Sequence, residues 1–167
     1  SWCRNTAESN YIYQRIPATE TGIYTFSVYV KAVNEFSSDE KLSLLCGAVD
    51  ENGEFIVTDY RTVAAVTTDF NRYSVSVDIP EGAAYIVGGF GFMDSLGEFY
   101  VDSAQLEKGS GFGSYNQLNN SSFTDISENA ITSWTSNSTY TIDNATVNTL
   151  QCNTVNFPAS KNANYTL

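Results

Sequence analysis

From residue 11 onward, apolar and polar side chains alternate with a period of two. Tyr11-Ile12-Tyr13-Gln14-Arg15-Ile16 begins the pattern, and the run from Gly22 to Val33 carries it most cleanly. There Tyr24, Phe26, Val28, Val30 and Ala32 fall on one side, and Thr25, Ser27, Tyr29 and Lys31 on the other. A period of two describes a strand with one face on a core. Leu42, Leu44, Cys46 and Ala48 continue it. Asp50-Glu51-Asn52-Gly53 then signals a hairpin before Phe55-Ile56-Val57, because Asn-Gly accepts positive φ. Tyr73, Val75, Val77 and Ile79 form the next set, closed by the turn Pro80-Glu81-Gly82. Two more strands are predicted around 84–92 and 98–106. No stretch has a capped 3.6-residue period. Seven or eight short strands with turns every 8–12 residues predict an all-β protein, an antiparallel β-sandwich.

Glycines interrupt one strand, Val87-Gly88-Gly89-Phe90-Gly91-Phe92. They predict a bulge or a close backbone approach. A phosphate loop is excluded, since the glycine spacing, the Lys and the following helix are all missing.

The pattern changes near residue 116, after Gly109-Ser110-Gly111-Phe112-Gly113. Residues 116–167 hold 11 Asn, 16 Ser or Thr, one Lys and three acids. This divides the chain into a sandwich, residues 1–115, and a polar C-terminal segment, 116–167. The sequons beginning at Asn119, Asn120, Asn137, Asn144 and Asn164 follow from that composition.

Charge and composition then remove whole classes of chemistry. With 8 basic and 19 acidic residues among 167, the net charge is −11. Phosphate backbones and anionic lipid repel such a chain, so nucleic acid is not an expected partner. Membrane insertion is not expected either, as no apolar run is long enough for a spanning helix. There is no His, which removes Ser-His-Asp and Cys-His catalysis and imidazole zinc sites. Paired carboxylates are the acid–base chemistry left. Most acids in residues 1–115 fall at turns or on solvent faces, so an enzyme is not expected. Cys3, Cys46 and Cys152 are too few and too scattered for a disulfide framework or a zinc site. They read as buried free thiols, with a Cys3–Cys46 bridge left open. The opening Ser1-Trp2-Cys3-Arg4, without an initiator Met or a signal peptide, reads as part of something larger.

Three segments carry a family resemblance. They are Gly22 to Lys31 (Gly-x-Tyr-Thr-x-Ser-x-Tyr-x-Lys), Asp102 with Gln105-Leu106-Glu107, and Asn120-Ser121-Ser122-Phe123 followed by Trp134. Together they resemble the jelly-roll, carbohydrate-binding-module-like (galactose-binding-like) domains of bacterial RHS/YD-repeat surface or secreted proteins and of phage tail proteins. The resemblance covers residues 1–134. It implies a jelly roll and a non-catalytic glycan-binding or adhesion module, secreted or at the cell surface. Glycan and neighbouring modules of the same chain are then the partners. It implies, too, that 116–167 opens a following module, or that it folds back to complete the same sandwich. Ser1-Trp2 matches Ser133-Trp134 at an offset of 132. A structural spacer or assembly module without a ligand is the alternative. Structural calcium is the one cofactor implied, with Asp102 at the metal-ligating position.

Sugar recognition needs flat rings for stacking and planar polar groups for hydroxyls. Three outward tyrosines have a cation one or two residues away: Tyr13 with Arg15, Tyr29 with Lys31, and Tyr60 with Arg61. Arg offers a planar donor fork and Tyr a stacking face, so these six are the candidate ligand-binding residues. The loops Asp94-Ser95-Leu96-Gly97 and Asp69-Phe70-Asn71-Arg72 are the second candidates.

Overall fold

The computed structural model describes residues 10–35, 41–92, 99–111, 115–127, 130–136, 141–147 and 150–156. Seven long strands form in chain order: β1 (Asn10–Pro17), β2 (Gly22–Ala32), β3 (Leu42–Val49), β4 (Phe55–Val63), β5 (Asn71–Ile79), β6 (Tyr85–Phe92) and β7 (Phe99–Lys108). Shorter strands follow: β8 (Ile126–Ser127), β9 (Ala130–Ile131) and β10 (Thr135–Ser136). The β11 (Thr141–Val147) and β12 (Leu150–Asn156) strands pair as a separate hairpin. One sheet has the order β10-β1-β6-β3-β4 and the other β5-β2-β7, all antiparallel. From β1 to β7 the chain changes sheet at every step except β3 to β4, which is the jelly-roll habit of wrapping one core.

Alternation fills that core. Tyr24, Phe26, Val28, Val30 and Ala32 of β2 meet Leu42, Leu44, Cys46 and Ala48 of β3 and Ile86 and Phe90 of β6, all buried. Each buried Val, Leu, Ile or Phe among them contributes roughly 1.5–3 kcal/mol by leaving water. The Phe26 and Phe90 rings stack with centres 6.4 Å apart. The β6 glycines are where side chains lie flat across the strand. A Cβ on Gly88 would sit 2.6 Å from the Phe26 ring, and one on Gly89 2.7 Å from the Ile12 carbonyl and 2.8 Å from Tyr13 Cβ. The β6 register runs unbroken against both neighbours, so of the two roles predicted for these glycines the close approach is the one observed.

Residues 115–127 and 130–136 close the side of the sandwich between β1 and β7. Asn116 sits at the edge of β7, its Oδ1 accepting from the Leu106 N–H and its Nδ2 donating to the Ala104 carbonyl. The Gln117 N–H donates to the Leu106 carbonyl, and the Ala104 N–H to that of Ser121. On the β1 side the Gln14 side chain grips both backbone groups of one residue: its Nε2 donates to the Asn119 carbonyl and its Oε1 accepts from the Asn119 N–H. Leu118, Phe123, Ile131 and Trp134 then enter the core, where the Phe90 ring lies 5.7 Å from Phe123 and 5.8 Å from Trp134. Asn120 ties the segment together. Its Nδ2 donates to the Asp125 and Thr132 carbonyls, its Oδ1 accepts from the Asp125 N–H, and its carbonyl accepts from Trp134 Nε1. The β10 strand finally pairs with β1, placing Ser136 opposite Ile12.

Candidate functional site

The outward side of β5-β2-β7 gathers polar groups and rings in cross-strand rows. The register sets Arg72, Tyr29 and Asp102 side by side, with Lys31 beside Tyr100 in the next row. Phe70, just before β5, covers Lys31 from the other flank. Tyr29 is 37% exposed and Phe70 40%, so both rings present a surface to solvent.

A bulge completes the arrangement. Between Ser27 and Tyr29 of β2 the facing β7 strand advances three residues, from Gln105 to Asp102, and Ser103 takes φ 51°. One extra residue reverses the parity of a strand. Gln105 therefore faces outward above the bulge, and Asp102 and Tyr100 face outward below it. Strict alternation would have sent Asp102 and Tyr100 into the core.

The cations are held by rings. Arg72 lies over the Tyr29 ring, its guanidinium carbon 5.2 Å from the centre, while its Nε and Nη2 donate to Ser27 Oγ at 3.1 and 2.7 Å. Ser27 is fully buried under this contact. Lys31 Nζ lies 5.1 Å from the Phe70 ring centre and 5.2 Å from that of Tyr100. Such contacts are worth roughly 0.5–1 kcal/mol at exposed sites. Farther along the face, Thr25 Oγ1 donates to the Gly109 carbonyl and accepts from Ser76 Oγ. Asp102 accepts from Ser103 Oγ at 3.2 Å. Among the described residues no three acidic, thiol or imidazole side chains gather as metal ligands.

The other expected residues lie elsewhere. Tyr13, Arg15 and Tyr60 share the outward side of the five-stranded sheet. There Tyr13, Phe55 and Tyr60 pack over the buried Tyr11, Leu45, Val49 and Val87. Tyr11 crosses β6 to donate to Ser43 Oγ at 2.7 Å, and Arg15 lies over Tyr13 at 5.6 Å. Arg61 follows Tyr60 and so takes the opposite face, where its Nη1 donates to the Ser74 carbonyl across the edge of the sandwich. The loop residues Asp94 to Gly97 lie outside the described residues, as does Cys3. Cys46 is buried and unbridged. Burial pushes its thiol up to about 12, so it stays protonated and unreactive at neutral pH.

Sequence reading did not find Tyr100, whose outward position depends on the bulge. Arg72 and Phe70 stood within a loop candidate, and only the β2–β5 register joins them to Tyr29 and Lys31.

No protein-family profile matches the chain, and no curated protein matches it. Among solved structures, 57% of the chain is similar to 13% of the enzymatically active domain of bacteriophage CBA120 tailspike protein 4. The sequence identity there is 17% and the TM-score 0.46.

Proposed function

We propose that the chain is a non-catalytic carbohydrate-binding module whose site is the outward side of β5-β2-β7. The observation that supports this reading is the grouping of three rings, Tyr29, Phe70 and Tyr100, with Arg72 and Lys31 between them. The rings are stacking surfaces for the C–H faces of pyranoses. Arg72, Lys31, Asp102 and Gln105 supply donors and acceptors for hydroxyls. All of them but Phe70, which directly precedes β5, stand on paired strands, so the site is largely formed before a ligand arrives. As a binding module it acts at the cell surface or after secretion, beside neighbouring modules of its chain. Asp102, if it joins a calcium ion, does so at the rim of the same face.

A spacer would have the same sandwich and no ligand. A glycan array separates the two readings, followed by titration of the best hit against Tyr29→Ala. Loss of an exposed stacking ring weakens the ligand about tenfold, while stability changes by about 1 kcal/mol or less. An array without hits, or a hit whose affinity Tyr29→Ala leaves unchanged, removes this face as the site.

A further inference from the structure

Lys31 and Arg15 are both held by ring faces in their described contacts, and of the two only Lys31 lies on the β5-β2-β7 face. The chain holds 19 acids against 8 bases, so a carboxylate is the commonest counter-charge on offer. Lys108 takes one, pairing with Glu20. Arg61 donates to a backbone carbonyl and Arg72 to a hydroxyl. The described contacts of the Lys31 ammonium are instead the faces of Phe70 and Tyr100. A ring face attracts an ammonium through its quadrupole and uses none of its three N–H donors. Lys31 is therefore steered and charged while its donors remain available to an acceptor from outside.

The acid of the neighbouring row is placed to orient such an acceptor. Asp102 lies opposite Tyr29, two residues along β7 from Tyr100, the partner of Lys31. Diagonal positions on one face are about 7–8 Å apart, a span a long side chain can cross, yet the ammonium turns to the Phe70 and Tyr100 rings. A ligand group at Lys31 meets positive charge, and one at Asp102 meets an acceptor for hydroxyls. Resting on the glycan-binding reading above, we propose that this face takes an acidic saccharide, with Lys31 receiving its anionic group and Asp102 its hydroxyls. In a chain of net charge −11, general attraction does not draw such a ligand in. Selectivity comes from this one point.

The test is a panel of uronate-bearing, sialylated, sulfated and neutral saccharides, titrated against the whole chain and against Lys31→Gln and Lys31→Arg. Acidic members are expected to bind best. Lys31→Gln should weaken them about fivefold or more, and Lys31→Arg should restore most of the loss. Raising NaCl from about 50 to about 500 mM should weaken them as well. Neutral members binding as tightly as acidic ones, with Lys31→Gln unchanged, overturn the charge assignment and leave the glycan reading standing. If no member binds, the glycan reading fails and this assignment with it. Melting curves of both variants confirm that they fold.

Discussion

The two outward faces of the sandwich come from the same alternation and end in opposite states. On the five-stranded sheet, Tyr11, Leu45, Val49 and Val87 are fully buried, with Tyr13, Phe55 and Tyr60 packed over them. On the three-stranded sheet the corresponding positions are Thr25, Ser27, Tyr29 and Lys31; Thr25 and Ser27 are buried in polar contacts, and Tyr29 remains open. Rings on the first face are spent on one another, and rings on the second hold cations. A tyrosine beside a cation in sequence is thus no guide to its use: Tyr13 with Arg15 belongs to a second apolar cluster, Tyr29 with Lys31 to an accessible polar surface.

The comparison predicts unequal responses to truncation. Leu45→Ala opens a cavity on the covered face and should cost about 2–5 kcal/mol, read as a lower midpoint in denaturant melts. The same truncation at Tyr29 should cost about 1 kcal/mol or less. Equal losses would mean that the two faces are packed alike. Gly89→Ala should come next, at about 1–3 kcal/mol, since its Cβ meets the Ile12 carbonyl and Tyr13 rather than open space. A melt unchanged by it would show that β1 gives way to the added methyl without cost.

The smallest effect concerns acid. Lys108 beside Glu20 lowers the Glu20 carboxyl below its ordinary value, and the Glu54 N–H and its neighbours in the β3–β4 turn do the same for Asp50. Both are held lower in the folded chain than in the unfolded one. Their contribution is therefore complete above the ordinary carboxylate range and is lost as pH falls through the lowered values. Both groups are exposed, so the loss is small. Glu20→Gln should flatten the acid limb of a stability–pH curve slightly and leave the neutral plateau almost unchanged. A large drop at neutral pH would mean that Glu20 supports more than its ion pair.

Strands β2, β3 and β5 were legible from period-two alternation, and the β3–β4 and β5–β6 connections from Asn52-Gly53 and Pro80-Glu81-Gly82. The second apolar face was not. In β3 all eight residues are buried, and Leu45 and Val49 drop out of an alternation read from Leu42, Leu44, Cys46 and Ala48. A run apolar on both sides is the mark of a strand covered on both faces, and Leu44-Leu45-Cys46-Gly47-Ala48-Val49 carries it. Within the site, Tyr29 and Lys31 could be read from β2 alone. Their partners could not, because register joins residues 43 to 73 positions apart and one bulge at Ser103 reverses the parity of half of β7.

The pairing of β10 with β1 governs how the sandwich carries mechanical load. Ile12, near the start of β1, lies opposite Ser136, the last residue of β10. The polypeptide thus arrives and departs at one corner, on adjacent antiparallel strands. Tension applied at residues 10 and 136 peels that short ladder bond by bond, where opposed ends would shear it all at once. The strands bearing Tyr29, Asp102 and Arg72 lie outside the direct line of pull. A tether passing through this unit would stretch first at the β1–β10 seam while the face on β2 kept its shape.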